Sequence, residues 1–410
     1  MEEPFNYEEI EKEAIKALYE GKPLTGKDGA LAPLLKRFLE KAMDGEIEAH
    51  LGETREEGKN RRNGKMKKEV RSANGKFELE TPRDRNGTFD PKVLPKRQTI
   101  ITPQLEERII SMWGRGMSYR EIQGHIEELY GFELSDGELT LITDKVYPMF
   151  EEWQRRPLES IYVVMWLDAM YYKVRVEGRG VQRVMYSVLG LNLRGYKEVL
   201  GLYLAESEGA KFWLSVLSDL KGRGVEDVLI SAIDNLNGFA EAIEGIFPKS
   251  RVQSCVVHQI RNSLRFITNK HVKEFIVDMK AVYQAPDLGQ AEEALVKFTD
   301  KWKGQYPKAV QPWMENWHRL NTYFDYPAEL RRIMYTTNTI EGYHRQIRKI
   351  TKTKGAFPSD KSLLKLAFLA IRNMNVWNKR MYEWKLIFSQ VAVIFEDRLP
   401  RNVIIQYGPE

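Results

Sequence analysis

The chain has 410 residues, 42% apolar and 30% charged, with a net charge of +5. That is room for two or three packed domains, and the composition excludes a disordered chain. No uninterrupted apolar run approaches the ~18 residues needed to span a bilayer, and a single cysteine excludes an internal disulfide framework. The opening MEEPFNYEEIEKE is acidic where a secretory signal would be basic and then apolar. A cytoplasmic protein with no membrane partner is expected.

Residues 8–52 read as helices, with an apolar pattern through Leu31, Leu34, Leu35, Phe38, Leu39 and Ala42. A basic segment follows, and GKFELETP (75–82) reads as a strand leaving a turn at Asn74-Gly75, giving a β-hairpin. Pro82, Pro91, Pro95 and Pro103 then predict an extended linker. From 104 to 146 the pattern predicts short helices: LEERIISMWGRGMS, then YREIQGHIEELYG closed by Gly131, then a third starting at the N-cap candidate Ser135. Short helices with glycine-containing turns resemble a helix-turn-helix unit, although a small bundle with no DNA role fits equally well.

From 160 to 256 the chain is strand-rich. IYVVMWLDAMYYKVRV, VQRVMYSVLGLN and YKEVLGLYLAES are three β segments; then come a helix (AKFWLSVLSDLKG), a strand (VLISAID), a helix (GFAEAIEGIF) and a strand near RVQSCVV. Three strands in a row followed by βαβ alternation predict a mixed sheet with helices on its faces. Residues 257–335 are helical, with Trp302, Trp313 and Trp317, and 337–352 and 360–388 are helical again.

Charge is unevenly spread. Residues 55–98 hold fourteen Lys/Arg against seven Asp/Glu, and 341–354 hold five Lys/Arg against one Glu. Clustered cations favour approach to a phosphate backbone; charge alone supports two solvated surface runs just as well.

Three carboxylates stand out. Asp168 lies in IYVVMWLDAMYY, where the other eleven residues are apolar. Such a run reads as a strand buried on both faces, and an ionised carboxylate there needs compensation by a metal ion, an arginine or a helix cap. Asp234 ends the apolar strand VLISAI and precedes a Gly238-containing helix start. Ligands collect at such strand ends, though Asp is also a common N-cap. Glu341 begins a helix on which Ile340, Tyr343, Ile347 and Ile350 share one face, while Glu341, Arg345, Arg348 and Lys352 share the next. One acid followed by three cations suits metal and phosphate contact, or an ordinary solvated face with a Glu341–Arg345 pair. Three carboxylates could together hold two Mg²⁺ ions for phosphoryl transfer, since Mg²⁺ takes oxygen ligands.

The segments MWLDAMYYKVR, IDNLNGFAEAIEGIFPKSRVQSCVVHQIRNSL and TTNTIEGYHRQIRKITKTKGAFPSDKSLLKLAFLAIRN resemble bacterial insertion-sequence transposases related to the Mutator elements. The resemblance extends to NGK…RDRNGTFDPKVLPKRQ and covers about 30 to 380. It implies an α/β fold: a ribonuclease H-like mixed-sheet catalytic core interrupted by an all-helical insertion, preceded by a mainly helical DNA-binding region. Carried over by position, the Asp-Asp-Glu triad falls on Asp168, Asp234 and Glu341, with two Mg²⁺ ions (Mn²⁺ as substitute) per active site. The implied segments are 1–52 helical, 53–103 basic arm with hairpin and linker, 104–156 helical and DNA-binding, 157–256 and 336–378 core, 257–335 insertion, and 379–410 helical tail. Cys255 and His258 belong to the same motif, which implies that they aid the active site or hold DNA near the cleaved end; a closed structural zinc site lacks a second cysteine, so Cys255 reads as small core filler and His258 as a hydrogen-bonding or phosphate-contacting residue of the active site. Asn235 and Gly342–His344 depart from the family pattern, where a Gly and a Ser-Leu-Asn stretch are common. DNA contacts are expected from Arg345, Arg348, Lys349, Lys352, Lys354 and Arg261, and in the basic arm from Arg61, Arg62, Lys65, Arg83 and Arg85. The implied partners are the transposon's terminal inverted repeats, target DNA and a second copy of the chain, with nucleoid association when bound. The family pathway runs through a circular intermediate.

Overall fold

The computed structural model describes residues 7–25, 29–53, 60–72, 75–96, 103–207, 209–234, 238–335, 338–374, 379–402 and 404. Asn74 and Asn235 lie outside them. The chain divides into two compact units, Met1–Val146 and Tyr147–Glu410. Among the described residues no helix is long and apolar enough to cross a membrane.

In the first unit, α1 (Tyr7–Tyr19) and α2 (Ala32–Glu53) precede an antiparallel hairpin of β1 (Arg62–Ser72) and β2 (Gly75–Asp84). Leu39 and Met43 of α2 pack on Val70, Leu79 and Leu94. The strand expected over 75–82 runs two residues further and takes in Pro82, which pairs with Lys65. Both strands of a two-stranded sheet are edges, so a missing N–H is tolerated there. Three short helices follow: α3 (Pro103–Gly114), α4 (Tyr119–Tyr130) and α5 (Asp136–Asp144). Ser118 and Ser135 each form a capping box, with Glu121 and Glu138 respectively, and Gly131 ends α4 at φ 72°. Each box satisfies two N–H groups that a helix start otherwise leaves open.

The second unit begins with α6 (Val146–Arg155), all but its first residue. It is built on a five-stranded mixed sheet of β3 (Ile161–Val176), β4 (Arg179–Asn192), β5 (Lys197–Ala205), β6 (Asp227–Ile233) and β7 (Arg251–Ser254), in the order β5-β4-β3-β6-β7. The first three strands are antiparallel; β3–β6 and β6–β7 are parallel. Parallel neighbours require crossovers, supplied here by α7 (Ala210–Gly222) and α8 (Phe239–Ile246). These helices bury Trp213, Leu217, Phe239 and Ile243 against Met165, Leu167, Tyr186 and Val188 on one sheet face.

After β7 come only helices as far as residue 335 among the described residues: α9 (Val256–Leu264), α10 (Val272–Tyr283), α11 (Leu288–Trp302), α12 (Pro307–Glu315), α13 (Trp317–Leu320) and α14 (Ala328–Tyr335). Phe275, Phe298, Trp302 and Trp313 are buried among them, with Phe275 edge-on to both Phe298 and Trp302. α15 (Asn338–Thr351), α16 (Asp360–Arg372) and α17 (Trp384–Ile394) complete the chain. The helical stretch expected over 360–388 is therefore divided. It stops at Arg372 and resumes at Trp384, with Glu383, φ 57°, as the N-cap of α17. Trp384 then packs over Gly195, where a Cβ would collide with the indole.

Candidate active site

Register places the first two carboxylates side by side. The last parallel pair joins Leu167 to Ile233, so Asp168 and Asp234 lie level, one residue further along adjacent strands. Asp168 is 8% exposed on the central strand. It sits opposite Ser187 of β4, which puts both on one face, away from the Leu167–Val188 face that α7 and α8 cover. α15 lies over the Asp168 face: the Tyr343 and Ser187 hydroxyls are 2.9 Å apart and buried. Asp168 accepts a 2.7 Å hydrogen bond from the Ala169 N–H. Asp234 does not cap the following helix, whose N-cap is Gly238.

The third carboxylate comes from the first turn of α15. Ile340, Tyr343 and Ile347 face inward and are buried. The adjacent stripe turns outward and lines a cavity of about 800 Å³. Asp168, His258, Arg261, Glu341, His344, Arg345, Arg348, Lys349 and Lys352 all open on it. Five of these are Lys or Arg, so the two acids sit in a strongly positive mouth.

α9 supplies the remaining groups. The Cys255 N–H donates to the Ile233 carbonyl at 2.8 Å, fixing the start of α9 beside the end of β6. Cys255, His258 and Arg261 follow at helical spacing of three and share one face. His258 Nδ1 pairs with Asp234, and Arg261 pairs with Glu341. Burial pushes the His258 imidazole down, but hydrogen bonds to Asp234 and Cys255 and their charges outweigh it and raise the pKa to about 11. His344 goes the other way: burial, then the nearby Arg348, His258 and Arg261 charges, lower it to about 3.

The expected site residues therefore fall into groups. Asp168 and Asp234 share a small pocket with Cys255 and His258, while Asp168 and Glu341 share the large cavity. The three carboxylates do not close into a single tight ligand set in this conformation. Among the described residues the set with ligand atoms within 4.8 Å of one another is Asp234, Cys255 and His258. Lys354 lies beyond α15 and does not line the cavity. In the first unit, Arg61, Arg62, Lys65, Arg83 and Arg85 are exposed, but Arg62 is tied to Asp44 and Glu48, and Lys65 to Asp44.

The sequence comparisons match this architecture. The model of the family described as "Transposase, Mutator family" matches residues 7–380. The transposase for insertion sequence element ISRM3 of Rhizobium meliloti (strain 1021) is 42% identical over 396 residues, covering 95% of this chain and 99% of its own. The probable transposase for insertion sequence element ISRM3-like of Sinorhizobium fredii (strain NBRC 101917 / NGR234) is 41% identical with the same coverage. The chain belongs to the Mutator family of transposases.

A chain of the simian T-cell lymphotropic virus intasome in complex with PP2A regulatory subunit B56 gamma aligns over 39% of this transposase and 50% of that chain. Its identity is 11% and its TM-score 0.19, too low to bear on the fold. One site residue of the transposase stood in the sequence only as part of the Gly342–His344 departure from the family pattern. His344 is 9% exposed, and its Nδ1 lies 3.4 Å from Asp168 Oδ2. The signal that could have found it is the spacing Glu341-Gly-Tyr-His344, which sets both side chains on one side of a helix.

Proposed function

We propose that this transposase binds the terminal inverted repeats of its insertion sequence and performs metal-dependent strand cleavage and strand transfer with Asp168, Asp234 and Glu341. The observation that carries the reading is Asp168, a carboxylate buried at the middle of the sheet that opens, with Glu341, onto a cavity that also carries five lysines or arginines. A carboxylate so placed is costly unless an ion or a partner compensates it. The donor set fits two Mg²⁺ or Mn²⁺ ions: carboxylate oxygens from β3, the end of β6 and α15, with polar cavity space for retained water.

In this reading the mixed sheet is a ribonuclease H-like core and the helices between β7 and α15 are its insertion. Ions held by Asp168, Asp234 and Glu341 would supply activation of the attacking water or hydroxyl and stabilisation of charge on the leaving oxygen. Arg345, Arg348, Lys349 and Lys352 hold phosphates on either side of the scissile bond. Arg261 exchanges Glu341 for a phosphate when DNA enters, and His258 holds Asp234 in place from α9. Hydrolysis puts the water oxygen on phosphorus and releases a 3′-hydroxyl; that hydroxyl then displaces the 3′-oxygen of a target phosphodiester. The exposed arginines of the hairpin arm and the short helices α3–α5 recognise the ends. Two ends paired in one complex call for a homodimer.

The test uses the purified chain with labelled duplexes from the DNA flanking its gene, in Mg²⁺, Mn²⁺ and EDTA. Cleavage and joining that require metal and disappear in Asp168→Asn, Asp234→Asn and Glu341→Gln, with end binding retained, are expected. Sequence-specific binding with no metal-dependent product would make the protein a DNA-bound regulator instead.

A further inference from the structure

We propose that His344 is a nitrogen ligand of the same divalent-ion site, sharing one ion with Asp168 and Glu341 and tilting it from Mg²⁺ toward Mn²⁺ and other ions that accept imidazole. The inference rests on the metal-binding reading above. Glu341 and His344 are three residues apart on α15 and line the same cavity as Asp168. Glu-x-x-His at this spacing is how helices present one carboxylate and one imidazole to a common ion in carboxylate-bridged metal proteins.

The distance supports a shared ion. His344 Nδ1 and Asp168 Oδ2 are 3.4 Å apart, long for an N–H···O bond of about 2.9 Å. It matches the ligand-to-ligand edge of about 3.4 Å around a four-coordinate ion with bonds of about 2.1 Å, and is slightly wider than the octahedral edge of about 3.0 Å. Nδ1 is the ring nitrogen turned toward Asp168, while Nε2 is buried with no hydrogen-bond partner among the described residues and is not the atom offered to the ion. Glu341 is paired with Arg261 and its carboxylate is not within 4.8 Å of both other ligand atoms, so it joins the ion by leaving Arg261. Imidazole in the ligand set matters chemically. Mg²⁺ takes oxygen almost exclusively, whereas affinity for nitrogen rises from Mn²⁺ along the transition series.

The experiment uses the full chain with Mn²⁺ as probe, followed by pulsed electron paramagnetic resonance and by titration of free Mn²⁺. Nitrogen coupling to bound Mn²⁺ is expected in the wild type, lost in His344→Asn and kept in His258→Asn. His344→Asn should also weaken Mn²⁺ binding by about tenfold or more, and Mg²⁺ competition by less. Absence of nitrogen coupling in the wild type overturns the proposal, as does coupling that survives His344→Asn, whatever the His258→Asn spectrum shows. If His344→Asn does not fold, judged by circular dichroism, the wild-type and His258→Asn spectra decide alone. Mn²⁺ binding abolished by Asp168→Asn but free of nitrogen coupling sinks only the His344 ligand; Mn²⁺ binding indifferent to Asp168→Asn sinks the metal reading with it.

Discussion

Each unit of the transposase buries an aspartate, and the two differ in how the carboxylate is held. Asp84, at the end of β2, is 3% exposed and accepts hydrogen bonds from Asn60 Nδ2, the Thr88 N–H and hydroxyl, and the Phe89 N–H, at 2.7–3.1 Å. Burial alone would push its carboxyl up; the bonds from Thr88, Asn60 and Phe89 outweigh it and hold the carboxyl well below the usual range. Asp168 is nearly as buried and, like Asp84 with His50, it faces a histidine and lines a cavity, but its cavity also carries Glu341 and five lysines or arginines. Burial of an acid is therefore no mark of chemistry. Fixed backbone and side-chain donors around a carboxylate mark a structural anchor. A second carboxylate opening on the same cavity, as Glu341 does beside Asp168, marks a working one.

The largest effect that tests this contrast is on reaction rate. Asp168→Asn should lower strand cleavage by about a thousandfold, some 4 kcal/mol of barrier, with the melting temperature unchanged or raised because a buried charge is removed. A large loss of thermal stability in that variant would erase the distinction between the two aspartates. Asp84→Asn should do the reverse: thermal or denaturant unfolding of the N-terminal unit should ease by about 3 kcal/mol, because charged acceptors are replaced by an amide that cannot satisfy four donors. The sign with pH follows from the depressed carboxyl. Its contribution is complete above the unfolded value of about 3.9 and is lost as pH falls below it toward the lower folded value. Acid titration of the unfolding free energy should accordingly steepen below about pH 4 in the wild type and flatten in Asp84→Asn.

Ligand linkage sharpens the same comparison. Mn²⁺ at a hundred times its dissociation constant should stabilise the wild type by about 2.7 kcal/mol, measured by calorimetry. Asp84→Asn should keep that increment and Asp168→Asn should lose it. The smallest effect concerns the tether between α15 and the sheet. Tyr343→Phe leaves the buried Ser187 hydroxyl without its 2.9 Å partner and should cost about 1 kcal/mol of stability, with cleavage within a few-fold of wild type. A much larger loss of cleavage would mean that this one bond sets the position of Glu341.

What was legible in the sequence was local. The three consecutive strands, the βαβ alternation after them and the helical run that follows were readable because apolar period and glycine or serine punctuation act over a few residues. Asp168 was conspicuous for the same reason, as one acid among eleven apolar neighbours, and so was the cationic stripe after Glu341. Asp84 was not, because in RDRNGTF it is one charge among several and its donors lie up to 24 residues away. Tertiary structure alone decided that Arg261 meets Glu341 across 80 residues, that Arg62 and Lys65 face the acids of α2, that the last helical stretch stops at Arg372 and resumes at Trp384, and that His344 is buried against Asp168. The physical reason is range. Backbone preference and hydrophobic period are fixed by neighbours in the chain, whereas the partner of a charged side chain is fixed by sheet register and helix packing, which bring together residues that the sequence keeps far apart.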